Sequence, residues 1–272
     1  MNKRLLIISA IAAAILIALT VLSIKSFSNK AVQNKGMSPS SASSLVVLAK
    51  GLEAKGGLLD AKETYQRLIN EFSNSAEVMN WQKKIKEINI KLLFSSTITP
   101  GSAQYEIKPA DTLTKIAKEF KTTTDLIMKS NNLTDARIMP GRKIKVWNMP
   151  FSILVDKSQN TLMLKAGEEI IKTYIVSTGK NNSSPLGNFK IINKLLNPTW
   201  FKAGAVVPAS SPENILGTRW LGFDLAGYGI HGTTDPQSLG KQVTQGCVRM
   251  ANLEVEELYT IISVGTEVTI VD

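Results

Sequence analysis

The hydrophobic period of this chain changes along its length, so no single core can absorb all 272 residues. An unbroken apolar run from Leu5 to Ile24 follows Met1-Asn2-Lys3-Arg4. At about 1.5 Å rise per residue, such a helix spans roughly the 30 Å hydrocarbon core of a bilayer. Lys3 and Arg4 ahead of the run place the N-terminus in the cytoplasm and the rest of the chain outside. Residues 1–24 therefore read as a transmembrane signal-anchor helix, with a signal peptide cleaved near Ser26-Phe27-Ser28 as the alternative. Both export the chain and predict a membrane-attached or wall-space protein. Residues 25–44 are rich in Ser, Asn and Lys, cannot bury a core, and read as a flexible linker.

From residue 45 to 94 the period becomes helical. Leu58, Ala61, Tyr65, Leu68, Ile69 and Phe72 share one face, and Val78, Trp81, Ile85, Ile88 and Leu92 share another. Gly56-Gly57 and Ser73-Asn74-Ser75 break the chain around them. The stretch from Gly57 to Ser75 resembles part of a tetratricopeptide repeat. A solenoid needs about three repeats, and at most one and a half fit here. The expectation is a helical spacer or a small docking hairpin for a protein partner.

Residues 104–147 read as a strand–helix–helix–strand (βααβ) unit. Tyr105-Glu106-Ile107 begins it and Ile144-Lys145-Val146-Trp147 closes it. Asp111 is placed to cap the first helix and Thr123 the second. A unit this small suits a binding module. The pattern Tyr105-x-Ile107, Asp111-Thr112-Leu113-x-x-Ile116-Ala117-x-x-Phe120, Asn131-Asn132-Leu133 and Ile138-x-Pro140-Gly141-x-x-Ile144 resembles a LysM domain over nearly its full length. The usual Gly before Asp-Thr-Leu is Ala110 here. The resemblance implies binding to a glycan containing N-acetylglucosamine, that of peptidoglycan.

Residues 151–271 are mostly β in character. Ile153 to Asp156 and Thr161 to Leu164 flank Lys157 to Asn160, a hairpin signal. One helix stands out, with Asn252 as its cap, Glu254, Glu256 and Glu257 early, and Val255, Leu258, Tyr259 and Ile262 on one face. Many short strands with one helix predict a β-sandwich or open barrel. The whole chain is thus expected to be multidomain: a membrane helix, a helical segment, an α+β module and a mostly-β domain.

The net charge is +10, but the basic residues are dispersed and do not interleave with aromatics, so no nucleic-acid partner is expected. One Cys and one His exclude an internal disulfide and a Cys/His zinc site, and no metal or cofactor is expected. A lone Cys is a buried small hydrophobe or a reactive thiol. Both residues lie in one segment, Ile230-His231-Gly232-Thr233 and Thr244-Gln245-Gly246-Cys247-Val248-Arg249-Met250. An imidazole can draw the proton from a thiol, and the intervening loop is long enough to return a second strand beside the first. Gly246 leaves room for a substrate carbonyl and lets the backbone aim N–H groups at an oxyanion.

His231-Gly232-Thr233 with Thr244-x-Gly246-Cys247-Val248-Arg249-Met250 resembles the signature of the L,D-transpeptidase catalytic domain. The likeness continues through Ser177-Thr178-Gly179-Lys180, Ser184-Pro185-Leu186-Gly187, Asn197-Pro198-Thr199-Trp200 and Leu216-Gly217-Thr218-Arg219-Trp220. It implies that Cys247 attacks the carbonyl after the third residue of a peptidoglycan tetrapeptide stem. Terminal D-alanine leaves, and the amine of a neighbouring diamino acid resolves the thioester to a 3→3 cross-link. By the same resemblance His231 moves the protons, the Gly232 carbonyl orients it, and the N–H groups of Gly246 and Cys247 face the oxyanion. Arg249 orders the loop or meets a stem carboxylate. Thr244 and Gln245 flank the substrate, and Tyr228, Trp200 and Trp220 line the cleft or belong to the core. Gln245 stands where the family often has His, which bears on substrate positioning more than on catalysis. The competing functions are L,D-carboxypeptidase action and a non-catalytic peptidoglycan-binding protein. A papain-like peptidase is disfavoured because His231 precedes Cys247.

Overall fold

The computed structural model describes residues 41–202 and 204–272. The anchor expected over residues 1–24 and the linker up to residue 40 lie outside the described residues. No described helix is long and apolar enough to cross a membrane.

Three helices come first: α1 (Ala42–Ala54), α2 (Leu58–Glu71) and α3 (Val78–Leu93). Helix α1 begins inside the stretch expected as linker, so Ala42 to Ser44 are helical instead. The cause is burial, since Leu45 and Ala49 are fully covered in a cluster with Ala61, Tyr65, Leu68 and Trp81. The other end of the helical unit is not a free surface. Ile90 and Leu93 of α3 join the core of the C-terminal domain. Asn89 Nδ2 donates to Glu169 Oε1 at 3.1 Å and to the Ile171 carbonyl at 3.4 Å. The buried Lys145 ammonium donates to the Leu92 and Ser95 carbonyls at 2.7 and 3.0 Å. It thereby caps the negative end of α3, and burial pushes its pKa down to about 8.

The next unit is β1 (Ser102–Glu106), α4 (Leu113–Glu119), α5 (Thr124–Ser130) and β2 (Lys143–Trp147), with β1 and β2 antiparallel from Ser102↔Trp147 to Glu106↔Lys143. Ile107, Leu113, Ile116, Ile127, Ile144 and Val146 form its core. Thr123 caps α5 as expected, its Oγ1 accepting from the Leu126 N–H at 2.9 Å. The cap of α4 is Thr112 and not Asp111, with Thr112 Oγ1 accepting from Lys115 N–H at 3.1 Å. Asp111 instead accepts from the Lys108 N–H and the Tyr105 hydroxyl, both at 2.8 Å, and so fastens the turn ahead of the helix.

The C-terminal domain holds β3 (Phe151–Asp156), β4 (Thr161–Ala166), β5 (Glu169–Ile175), β6 (Thr178–Gly179), β7 (Gly187–Leu196), β8 (Trp200–Lys202) and β9 (Ala205–Val207). Then follow β10 (Arg219–Phe223), β11 (Gly229–His231), β12 (Gln242–Thr244), β13 (Val248–Arg249), α6 (Asn252–Ile261) and β14 (Glu267–Val271). Eight strands make one sheet in the order β13-β11-β10-β7-β14-β3-β4-β5. The remaining pairs, β12 with β6 and β8 with β9, are two-stranded. Of the two expected architectures this is the open barrel; among the described residues there is no second large sheet to make a sandwich. The expected β3–β4 hairpin forms, with Asp156 opposite Thr161. Its alternation places Ile153, Val155, Leu162 and Leu164 in the core, each contributing about 1.5–3 kcal/mol by burial. Val255, Leu258 and Ile261 of α6 cover the same core at the β11–β13 end.

Candidate active site

His231 and Cys247 come together because β11 and β13 pair in parallel, Ile230 opposite Val248 and His231 opposite Arg249. Strand alternation then sorts the faces. Ile230, Val248 and Met250 are fully buried in the core. His231, Cys247 and Arg249 line a cleft of about 710 Å³ at this edge of the sheet. Tyr228, Thr244, Gln245, Trp200 and Trp220, the other side chains singled out in the sequence, line the same cleft. Trp220 is the register partner of His231 on β10, and its indole stacks on the imidazole with centroids 6.0 Å apart and planes 20° apart. The indole Nε1 donates to Asn193 Oδ1 at 3.1 Å, which fixes the ring across the sheet.

The imidazole is fully buried, and its Nδ1 lies 2.6 Å from the Gly232 carbonyl oxygen. A carbonyl only accepts, so Nδ1 carries the proton and Nε2 is left as the acceptor. Burial lowers the His231 pKa to about 4, against the pull of the Gly232 and Leu216 carbonyls and with the Arg249 charge adding to the drop. Burial pushes the Cys247 thiol up, opposed by the Gly229 N–H and by Arg249. The Cys247 thiol donates to the Gly227 carbonyl at 3.4 Å. The pair therefore rests as thiol and neutral imidazole.

The loop before Cys247 is held at several points. Gly246 has φ +129°, and a Cβ there would sit 2.6 Å from Tyr228 Cε1 and 3.0 Å from the Ser183 oxygen. Only glycine serves at this position. Thr244 Oγ1 donates to the Cys247 carbonyl at 2.7 Å and accepts from the Gly246 N–H at 3.2 Å. The Gly246 N–H, expected to face the oxyanion, is engaged in the loop by the Thr244 hydroxyl. Arg249 is tied to the neighbouring chain by backbone and side chain. Its N–H and carbonyl pair with Ser177 at 2.9 and 2.8 Å, and Nη1 donates to Ser238 Oγ at 3.0 Å. Its Nε is buried without a partner.

Three residues that sequence reasoning did not place at the site support it. Ser184 Oγ donates to the Gly246 carbonyl at 2.8 Å, and buried Lys157 donates from Nζ to the Ser184 carbonyl at 3.0 Å. Asn252 was expected to cap α6, but no side chain caps that helix. Its Oδ1 accepts instead from the Thr218 and Thr233 N–H groups at 3.2 and 3.1 Å.

These features define a mostly-β domain with a cleft holding His231 and Cys247 at one sheet edge, preceded by a small βααβ module. The model of the L,D-transpeptidase catalytic domain matches residues 150–270, and that of the LysM domain matches residues 105–147. The Bacillus subtilis (strain 168) protein YkuD, named as an L,D-transpeptidase, is 35% identical over 173 residues, covering 61% of this chain and 97% of that protein. A second Bacillus subtilis protein so named, YqjB, is 41% identical over 126 residues, covering 44% of this chain and 70% of its own. The chain is also similar to the solved catalytic domain of the Enterococcus faecium L,D-transpeptidase, at 22% identity and TM-score 0.38, covering 45% of this chain and 98% of that one. The chain belongs to the L,D-transpeptidase family and carries a LysM peptidoglycan-binding domain.

Proposed function

We propose that this protein remodels peptidoglycan through a thioester on Cys247. The observation that carries the reading is the 2.6 Å contact of His231 Nδ1 with the Gly232 oxygen, which leaves Nε2 as the acceptor in the cleft shared with Cys247. Nε2 takes the thiol proton as Sγ attacks the carbonyl after the third residue of a tetrapeptide stem. The S–C bond forms, the C–N bond to terminal D-alanine breaks, and the imidazolium returns its proton to the leaving amine. The side-chain amine of a neighbouring stem then attacks the thioester, N–C replaces S–C, and the amine proton restores the thiol by way of His231. The product is a 3→3 cross-link. The Cys247 N–H is the donor assigned to the oxyanion. The position of Arg249 on the cleft wall supports a contact with a stem carboxylate.

In the same reading the LysM domain holds the glycan, and residues 1–24 anchor the protein to the cytoplasmic membrane with the cleft on the wall side. Water as acceptor would give an L,D-carboxypeptidase from the same thioester. Intact-protein mass spectrometry after incubation with disaccharide-tetrapeptide tests the reading. The expected result is an acyl-enzyme lighter than the simple adduct by one D-alanine, absent in Cys247→Ala, with cross-linked dimers among the products. Retained turnover by Cys247→Ala would overturn it.

A further inference from the structure

We propose that Asn252 is a positioning residue for His231, acting through the Gly232–Thr233 peptide group. The Gly232 carbonyl that accepts from His231 Nδ1 and the Thr233 N–H that donates to Asn252 Oδ1 belong to one peptide bond. A peptide is planar, so fixing its N–H end fixes the direction of its carbonyl. The chain of contacts runs from Asn252 Oδ1, through Thr233 N–H and Gly232 C=O, to imidazole Nδ1. A peptide whose N–H is donating is also polarised toward a stronger carbonyl acceptor. Asn252 thus occupies the third place that a carboxylate takes in other nucleophile–imidazole sites, one peptide removed.

Two glycines show how closely the side chain is fitted. A Cβ on Gly232 or on Gly217 would lie 2.2 Å from Asn252 Oδ1. Its second bond, to the Thr218 N–H, ties the same oxygen to the strand entry that carries Trp220. Both walls of the imidazole slot therefore refer to one atom at the start of α6. Arg249 is the charge that acts directly on His231, Asp235 and Cys247 act in turn on Arg249, and Arg219 of β10 lies 3.7 Å from Glu256 of α6.

This inference rests on the reading of His231 as the base. The test compares the whole protein with Asn252→Ala and Asn252→Asp, measuring kcat and KM on disaccharide-tetrapeptide, carbapenem acylation against pH, and melting temperature. Asn252→Ala should lower kcat at least about tenfold, part of the about 10²–10⁴ that a positioned base contributes, with KM within about twofold. Asn252→Asp keeps the acceptor and suits a helix start. It should recover most of the rate and, by adding a negative charge, move the acidic limb upward by about one pH unit. Wild-type kcat in Asn252→Ala would overturn the proposal. So would an Asn252→Asp limb that coincides with wild type while losses follow melting temperature; this arm decides the matter even where Asn252→Ala fails to fold. Turnover surviving in Cys247→Ala would instead defeat the thioester reading itself.

Discussion

Lys157 Nζ donates to the Ser184 carbonyl at 3.0 Å from a site only 2% exposed to solvent. Ser184 Oγ passes the restraint to the Gly246 carbonyl, and its own position is set by the Gly179 N–H, both at 2.8 Å. A hairpin tip in the sheet is thereby connected to the residue before Cys247. An unmet buried acceptor costs about 1–3 kcal/mol, which loosens the group that lost its donor. Ser184→Ala should slow carbapenem acylation of Cys247 about tenfold, since about 1.4 kcal/mol is tenfold in rate. Lys157→Met, which keeps the apolar stem, should slow it less. Stopped-flow acylation with melting temperatures measured alongside checks both.

Both preceding modules contribute side chains to the core of the catalytic domain. Trp147 of β2 stacks on Phe151 of β3 with centroids 5.1 Å apart, and Trp147, Leu126, Ile90 and Leu93 all belong to the core cluster of the catalytic domain. Deleting residues 104–147 should therefore destabilise the catalytic domain as well as weaken binding to sacculi. Trp147→Ala should cost about 3–5 kcal/mol. In denaturant, the helical, LysM and catalytic signals should unfold in one transition. Separate transitions for wild type would show that the modules are thermodynamically independent.

Ala110 has φ +64°, in the left-handed region. A side chain there costs roughly 1–2 kcal/mol, partly offset by the greater entropy a glycine loses on folding. Ala110→Gly should raise stability by about 0.5–1 kcal/mol, read from the shift in denaturant midpoint at unchanged slope. The departure from the LysM pattern noted in the sequence is in this way a strained turn, and the conformation explains why glycine is usual there.

Periodic signals were legible in the sequence, and contacts between modules were not. Alternation at Ile153 to Leu164 and the helical face from Leu58 to Phe72 each report local burial, which a short window captures. The parallel pairing of β11 with β13 was foreseeable only as a returning strand, because register depends on partners distant in the chain. Ile90 and Leu93 carried no mark that their face is spent on the catalytic core. Lys157 gave no sign of its burial, since a charged residue in a hairpin turn is ordinarily outside. Asn252 and Asp111 were read as helix caps from position alone, whereas their oxygens accept from groups outside those helices.

Gln245 is exposed at the rim of the cleft. Gln245→His should fold and keep acylation within a few-fold of wild type, while adding an ionisation near pH 6.5, about the value of a solvated imidazole. Acylation against pH in the two proteins checks this. An inactive, folded Gln245→His would assign Gln245 a specific contact with substrate.

The buried imidazole links stability to pH. Its pKa is about 4 in the folded protein against 6.5 for the free side chain. As pH falls below 6.5 the unfolded chain takes up this proton first, so the unfolded state binds more protons and stability falls. The loss runs from about pH 6.5 down to about 4 and levels off beneath the folded value. Its size is about 3 kcal/mol at most, from about 1.4 kcal/mol per unit. His231→Gln, which cannot titrate, should flatten this part of the stability curve. The thiol moves the other way, because burial raises it. Alkylation of Cys247 by iodoacetamide should then rise about tenfold per pH unit through neutrality, with no plateau at low pH. If the proposed mechanism holds, with His231 Nε2 as base, carbapenem acylation should instead stay level down to the imidazole value. A low-pH alkylation plateau would mean that the pair rests as thiolate and imidazolium, contrary to the neutral pair that burial favours.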